Sequence, residues 1–134
     1  MPIVLIADDE DICLTLTTRM LEQLDVGVLC AHSGAEAVQL YKKHHEAIVL
    51  VMLDIQMPVM DGVETFRRLK QLQKDVFVVF ASGNVNTKKR QLIDPLNPAG
   101  YLTKPLFPKE LSYYLNQAIE HKRKSDSLSF RKED

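Results

Sequence analysis

Four consecutive acidic residues, Asp8, Asp9, Glu10 and Asp11, close the apolar run Ile3 to Ala7, and another carboxylate, Asp54, closes a second apolar run from Ala47 to Leu53. Acids gathered where buried segments stop are costly unless positive charge meets them. A hard divalent cation is the natural partner for converging carboxylates, and magnesium, which prefers oxygen ligands and keeps bound water, is the candidate. The plainer alternative is that Asp8 to Asp11 favour the positive end of a following helix while Asp54 is an ordinary loop residue. Two more apolar runs end in polar chemistry: VFVVFAS leads into Ser82-Gly83, and GYLT leads into Lys104-Pro105. A serine after a strand is ordinarily a turn residue, and a lysine ordinarily a solvated charge. As a set, however, a carboxylate nucleophile on Asp54, a cation held by Asp9, a hydroxyl and an ammonium can receive a phosphoryl group and neutralise its equatorial oxygens.

For those groups to meet, the elements carrying them must end on one rim. Short runs at Ile3 to Ala7, Val26 to Ala31, Ala47 to Leu53, Val76 to Ala81 and Gly100 to Thr103 predict five strands. Several are apolar without alternation, as strands covered on both faces are. Between them lie helical periods. Ile12, Leu16, Met20 and Leu24 recur every fourth residue, and Ser33-Gly34-Ala35-Glu36 forms a capping box pattern that Asp61-Gly62-Val63-Glu64 repeats. Pro108 suits the first turn of a last helix carrying Leu111, Leu115, Ala118 and Ile119. The alternation predicts an α/β fold, a doubly wound five-stranded parallel sheet built as (βα)5, with ligands beyond the strands' carboxyl ends where the strand order reverses.

Composition agrees with one globular domain. The chain has 134 residues, 46% of them hydrophobic and 26% charged, and a net charge of -1 that gives no general pull towards nucleic acid or membrane. No apolar run approaches the roughly 20 residues of a bilayer span, and the N-terminus lacks a secretory pattern, so the cytoplasm is expected. Cys13 and Cys30 are read as small core residues. Residues 124–134, charged and Ser-rich, are expected to be a tail, either a frayed helix end or the start of a linker. Pro95 and Pro98 predict a short fourth helix followed by an irregular segment, and Lys88, Lys89 and Arg90 form a basic patch read as a solvated helix face.

The motifs ADDE after the first strand, MLDIQMPVMDG around Asp54, ASG after the fourth strand and GYLTKP at the fifth occur in order. In this the chain resembles a response-regulator receiver domain of two-component signalling, from about Ile3 to Arg123, with residues 1–123 as the domain. The resemblance implies the flavodoxin-like strand order 2-1-3-4-5, for which a receiver protein is itself a standard example. It also implies a phosphorylation-dependent signalling switch that promotes its own phosphoryl transfer and slow dephosphorylation without being an enzyme. Asp54 would be the phosphoacceptor. Asp9 would ligate Mg2+ directly, with Mn2+ as a substitute, assisted by Asp8, Asp54 and the backbone carbonyl of Gln56. Lys104 and Ser82 would hold phosphoryl oxygens, helped by the Gly83 amide, and Pro105 would follow a cis bond that aims Lys104 inward. Met57-Pro58 and Asp61-Gly62 would shape the loop beside the acceptor. Ser82 moving inward would leave space for Tyr101 to rotate, carrying the signal to the face of the fourth helix, fifth strand and fifth helix. The expected partners are a sensor histidine kinase or phosphotransfer protein and a downstream protein or output domain, without direct nucleic-acid or membrane contact.

Two other classes use related parts. A haloacid-dehalogenase-like phosphatase needs an acid two residues past the nucleophile, where this chain has Gln56. A flavodoxin-like nucleotide binder needs a neutral loop after the first strand, where Asp8 to Asp11 would repel phosphate.

Overall fold

A computed structural model describes residues 1–133, with side chains through Ser127. Strands β1 (Ile3–Ala7), β2 (Gly27–Ala31), β3 (Ile48–Leu53), β4 (Val78–Ser82) and β5 (Gly100–Thr103) alternate with helices α1 (Asp11–Glu22), α2 (Gly34–His44), α3 (Gly62–Leu72), α4 (Thr87–Ile93) and α5 (Pro108–Glu133). All strand pairs are parallel, in the order β2-β1-β3-β4-β5, the flavodoxin-like arrangement.

The strands lack alternation because both faces are buried. Leu5, Ala7, Val51, Leu53 and Phe80 join the core beneath α2, α3 and α4, which contribute Val38, Phe66, Leu69 and Ile93. Val4, Ile6, Met52, Val79 and Leu102 join the opposite core with Leu14 and Leu21 of α1 and Leu111 and Leu115 of α5. Two layers of helices therefore cover one sheet. Among the described residues, no buried side-chain nitrogen or oxygen lacks a hydrogen-bond partner, and no helix is long and apolar enough to cross a membrane.

Helix starts match the expected caps, with one difference. Ser33 Oγ accepts from the Glu36 amide, and Asp61 Oδ1 from the Glu64 amide. The return half of each box is absent: the Glu36 carboxylate accepts from the His32 amide, and Glu64 turns to Arg67 and Arg68. In α1 the inward row is Leu14, Thr17 and Leu21, not the row beginning at Ile12 and Leu16, both of which are exposed. Both rows are apolar at helical spacing; the rotation follows from packing against Ile6, Leu106 and Leu111, which sequence periodicity does not encode. Cys13 and Cys30 are free and only half-buried.

Helix α4 ends after seven residues and passes into a single 3-10 turn, Asp94–Leu96, that holds Pro95. Helix α5 continues through the charged, Ser-rich stretch to Glu133. There the His121 ring packs at a tilt against Phe77, its Nε2 lies 2.7 Å from the Asp75 carbonyl, and Ser125 Oγ donates to the Asp75 carboxylate, which also accepts from Gln73.

Candidate functional site

Backbone register brings the acids together. Ala7 pairs with Ala31 on one side and Leu53 on the other, so β1 and β3 end level and Asp8 and Asp54 leave the sheet side by side. The ladder runs one step further: the Asp54 amide donates to the Ala7 carbonyl at 3.0 Å, and the Asp8 amide to the Ala31 carbonyl at 3.0 Å. At the other edge Ser82 pairs with Thr103, and the Lys104 amide donates to the Ser82 carbonyl at 2.9 Å. Alternation then decides direction. Asp8, Asp54 and Lys104 share the parity of Ile6, Met52 and Leu102, the α1/α5 face, whereas Ser82 shares that of Phe80.

The charges meet as that parity requires. Lys104 Nζ lies 2.5 Å from Asp8 Oδ2 and 3.6 Å from Asp54 Oδ2, and both carboxylates are buried. Burial alone would lower the Lys104 pKa, but the hydrogen bond to Asp8 and the charges of Asp54 and Asp8 outweigh it and hold the ammonium above the ordinary lysine range. Burial raises the Asp54 pKa; Lys104 opposes that, Asp8 adds to it, and the Gln56 and Ile55 amides favour the ionised form. Carboxylate oxygens of Asp8, Asp9 and Asp54 all lie within 4.8 Å of one another. Two buried carboxylates and the exposed Asp9 thus share one ammonium, an excess of negative charge on hard oxygen donors that suits a divalent cation.

Asp54, Gln56, Ser82, Gly83 and Lys104 line one open cleft of about 820 Å³, together with Asp9, Met57, Pro58 and Asp61. The Lys104-Pro105 bond is cis. The floor depends on Gly62, whose amide donates to the Ile55 carbonyl at 2.8 Å; a Cβ there would press on the Asp54 carbonyl and stand 2.9 Å from Ile55 Cα. Val59, in the same loop, has φ 68° and a fully exposed side chain, a left-handed backbone that a β-branched residue adopts only under strain.

On the other face Tyr101 pairs with Phe80 in register and stacks on it with ring centroids 6.0 Å apart. Its hydroxyl donates to Asp94 Oδ1 at 2.5 Å, and the Arg90 guanidinium lies 4.3 Å from its ring centroid. Burial and the bond to Asp94 raise the phenol pKa.

Sequence reasoning passed over three neighbours of the site. Asp94 holds Tyr101 from the 3-10 turn. Cys13 lies beside Lys104, its thiol pushed up by burial against the opposing effect of the ammonium. Lys89, grouped with Lys88 and Arg90 as a solvated face, lines the cleft. The available signal was Asn86: as N-cap it accepts from the Lys89 amide at 2.9 Å and so sets where the helix starts.

Comparison with known proteins identifies the family and the fold. The family model of the response regulator receiver domain matches residues 4–116. The autoinducer 1 sensor kinase/phosphatase LuxN of Vibrio campbellii is 32% identical over 132 residues, 98% of this chain and 15% of that protein. The chain therefore spans only about a seventh of LuxN. Chemotaxis protein CheY of Halobacterium salinarum is 30% identical over 102 residues, covering 76% of this chain and 83% of that one. A receiver domain protein from Clostridium thermocellum superposes with a TM-score of 0.86 at 27% identity, covering 92% of this chain and 98% of that one.

Proposed function

The chain belongs to the response regulator receiver domain family of two-component signalling, and from that membership we propose that Asp54 is its phosphoacceptor and that phosphorylation resets the face formed by α4, β5 and α5. Receiver domains are phosphoacceptor modules, not enzymes in the ordinary sense, so chemistry and signalling share one site.

The observation that carries this reading is the Lys104 ammonium bridging buried Asp8 and Asp54 within the cleft. With Lys104 at its side, Asp54 is the nucleophile, and no general base is required because an ionised carboxylate already carries the attacking pair. An Asp54 oxygen bonds to phosphorus as the bond from phosphorus to the donor's imidazole nitrogen breaks; that nitrogen keeps the electron pair and is protonated. Mg2+, with Mn2+ as substitute, held by Asp8, Asp9, Asp54 and the Gln56 carbonyl, supplies charge neutralisation when bound. Lys104 moves its contact from the Asp54 carboxylate to a phosphoryl oxygen. Ser82 donates to another oxygen, assisted by the exposed Gly83 amide. The inward move of Ser82 frees space on the Phe80 side of the sheet, where Tyr101 turns and leaves Asp94 and Arg90.

The donor in this reading is a phosphohistidine on a sensor histidine kinase or phosphotransfer protein, and the receiver of the signal is a downstream protein or output domain in the cytoplasm. Residues 1–123 form the receiver body and residues 124–134 a charged tail or the start of a linker. Intact-mass measurement after incubation with Mg2+ and acetyl phosphate should show one added phosphoryl group, labile to hydroxylamine, that Asp54→Asn abolishes. Equal labelling of the variant would overturn the assignment.

A further inference from the structure

The three basic residues at the start of α4 do three different things. Lys88 stays in solvent, Arg90 lies over Tyr101, and Lys89 is half-buried and folds back along the β4–α4 loop. Its Nζ lies 3.5 Å from the Asn84 carbonyl, and its side chain lines the cleft that holds Asp54. Its backbone amide is held by the Asn86 cap at 2.9 Å. Two ammonium groups therefore face the same cleft, in different conditions. Lys104 is committed to Asp8 and Asp54, whereas Lys89, among the described residues, pairs with no carboxylate. A contact of 3.5 Å to a neutral carbonyl is weak and easily exchanged for a charged acceptor.

Resting on the phosphoacceptor reading, we propose that Lys89 receives the terminal oxygens of the incoming phosphodonor and so sets donor affinity, separately from the chemical step at Asp54. A doubly charged phosphoryl group approaching this cleft passes Glu10 and Asp61, which repel it and lie outside the set of acids that would hold the cation. Lys104 cannot answer that repulsion at the entrance, because it is held on the floor between two acids. Lys89, held only by the Asn84 carbonyl, lines the same cleft and offers a cation at no cost in broken ion pairs. Once the group sits on Asp54, Lys104 and Ser82 hold it, so the Lys89 contribution falls on binding and not on the rate at saturation.

The test is the dependence of the labelling rate on acetyl phosphate concentration, read by intact mass in the presence of Mg2+, for the unmodified chain, Lys89→Gln, Lys89→Arg and Lys88→Gln. Lys89→Gln should raise the half-saturating acetyl phosphate about fivefold, the scale of one part-exposed ion pair, with the rate at saturation unchanged. Lys89→Arg should restore the original curve, Lys88→Gln should follow it, and the Lys89→Gln difference should shrink as salt is added. A Lys89→Gln curve that overlays the unmodified one overturns the proposal. So does a loss confined to the saturated rate, or a loss that Lys89→Arg does not rescue. If the unmodified chain takes no label, the phosphoacceptor reading fails first; labelling that ignores Lys89 leaves that reading intact.

Discussion

Replacing Gly62 with alanine tests how tightly the acceptor loop is packed beneath the site. Gly62 opens α3, is buried, and its amide closes on the Ile55 carbonyl at 2.8 Å. An added Cβ would meet backbone atoms, the Asp54 carbonyl and Ile55 Cα, and backbone cannot swing away as the end of a side chain can. The start of α3 must therefore retreat from the loop. Overpacking of this kind costs about 1 to 3 kcal/mol. Loss of the Ile55 bond adds about 1 kcal/mol. Alanine in place of glycine returns only about 0.5 kcal/mol through the unfolded chain. The net expectation is a loss of about 1.5 to 3.5 kcal/mol, or a fall in Tm of about 5 to 12 °C for a chain of this size. Urea denaturation followed by circular dichroism measures it. Gly83→Ala is the internal control: that glycine is exposed, and a Cβ added to it would meet no atom within 4 Å, so its midpoint should stay near that of the unmodified chain. A Gly62→Ala midpoint equal to the control would refute the argument that backbone contact at this position holds the Asp54 loop.

The same loop yields a change of opposite sign. Val59→Gly removes no packing, because the valine is exposed, and relieves left-handed strain of about 1 to 2 kcal/mol against about 0.5 kcal/mol for the freer unfolded chain, so it should raise stability by about 0.5 to 1.5 kcal/mol; a lower urea midpoint would show that Val59 is not strained to that extent. At the far end of the sheet, the bond from Ser125, and then that from Gln73, hold the Asp75 carboxyl below its usual range. Its folded pKa is depressed, so its contribution is present above the unfolded value of about 4 and lost as pH falls through the folded one. Because Asp75 is largely solvated, the contribution is under about 1 kcal/mol. Denaturation of Asp75→Asn and the unmodified chain should differ at pH 7 and converge as the pH falls below the depressed folded pKa; a gap independent of pH would rule out this linkage.

Strand chemistry was legible because each run is short, β-branched and unbroken, and the observed strands differ from the expected ones by at most two residues at an end. The capping residues Ser33 and Asp61 were legible for a similar reason, since an N-cap bond spans three residues of contiguous chain. Their glutamates were not, because a long side chain chooses among partners that only the folded surroundings supply. The rotation of α1 was not legible either: Ile12 and Leu16 are as apolar as Leu14 and Leu21, and the choice was made by α5 and the sheet.

By itself the order of residues determined the alternation of strand and helix, and hence which acids, hydroxyl and ammonium would stand at strand ends, because these follow from local period and termination. Tertiary structure decided how those groups face one another. The level ends of β1 and β3 set Asp8 beside Asp54, and the extra step of β4 and β5 delivered Lys104 between them. It also separated Lys88, Lys89 and Arg90 into solvent, cleft and aromatic contacts, and joined Asp75 to Ser125 across 50 residues of chain. Contacts between segments so distant depend on register and packing summed over the whole sheet, and no local run of sequence contains that sum.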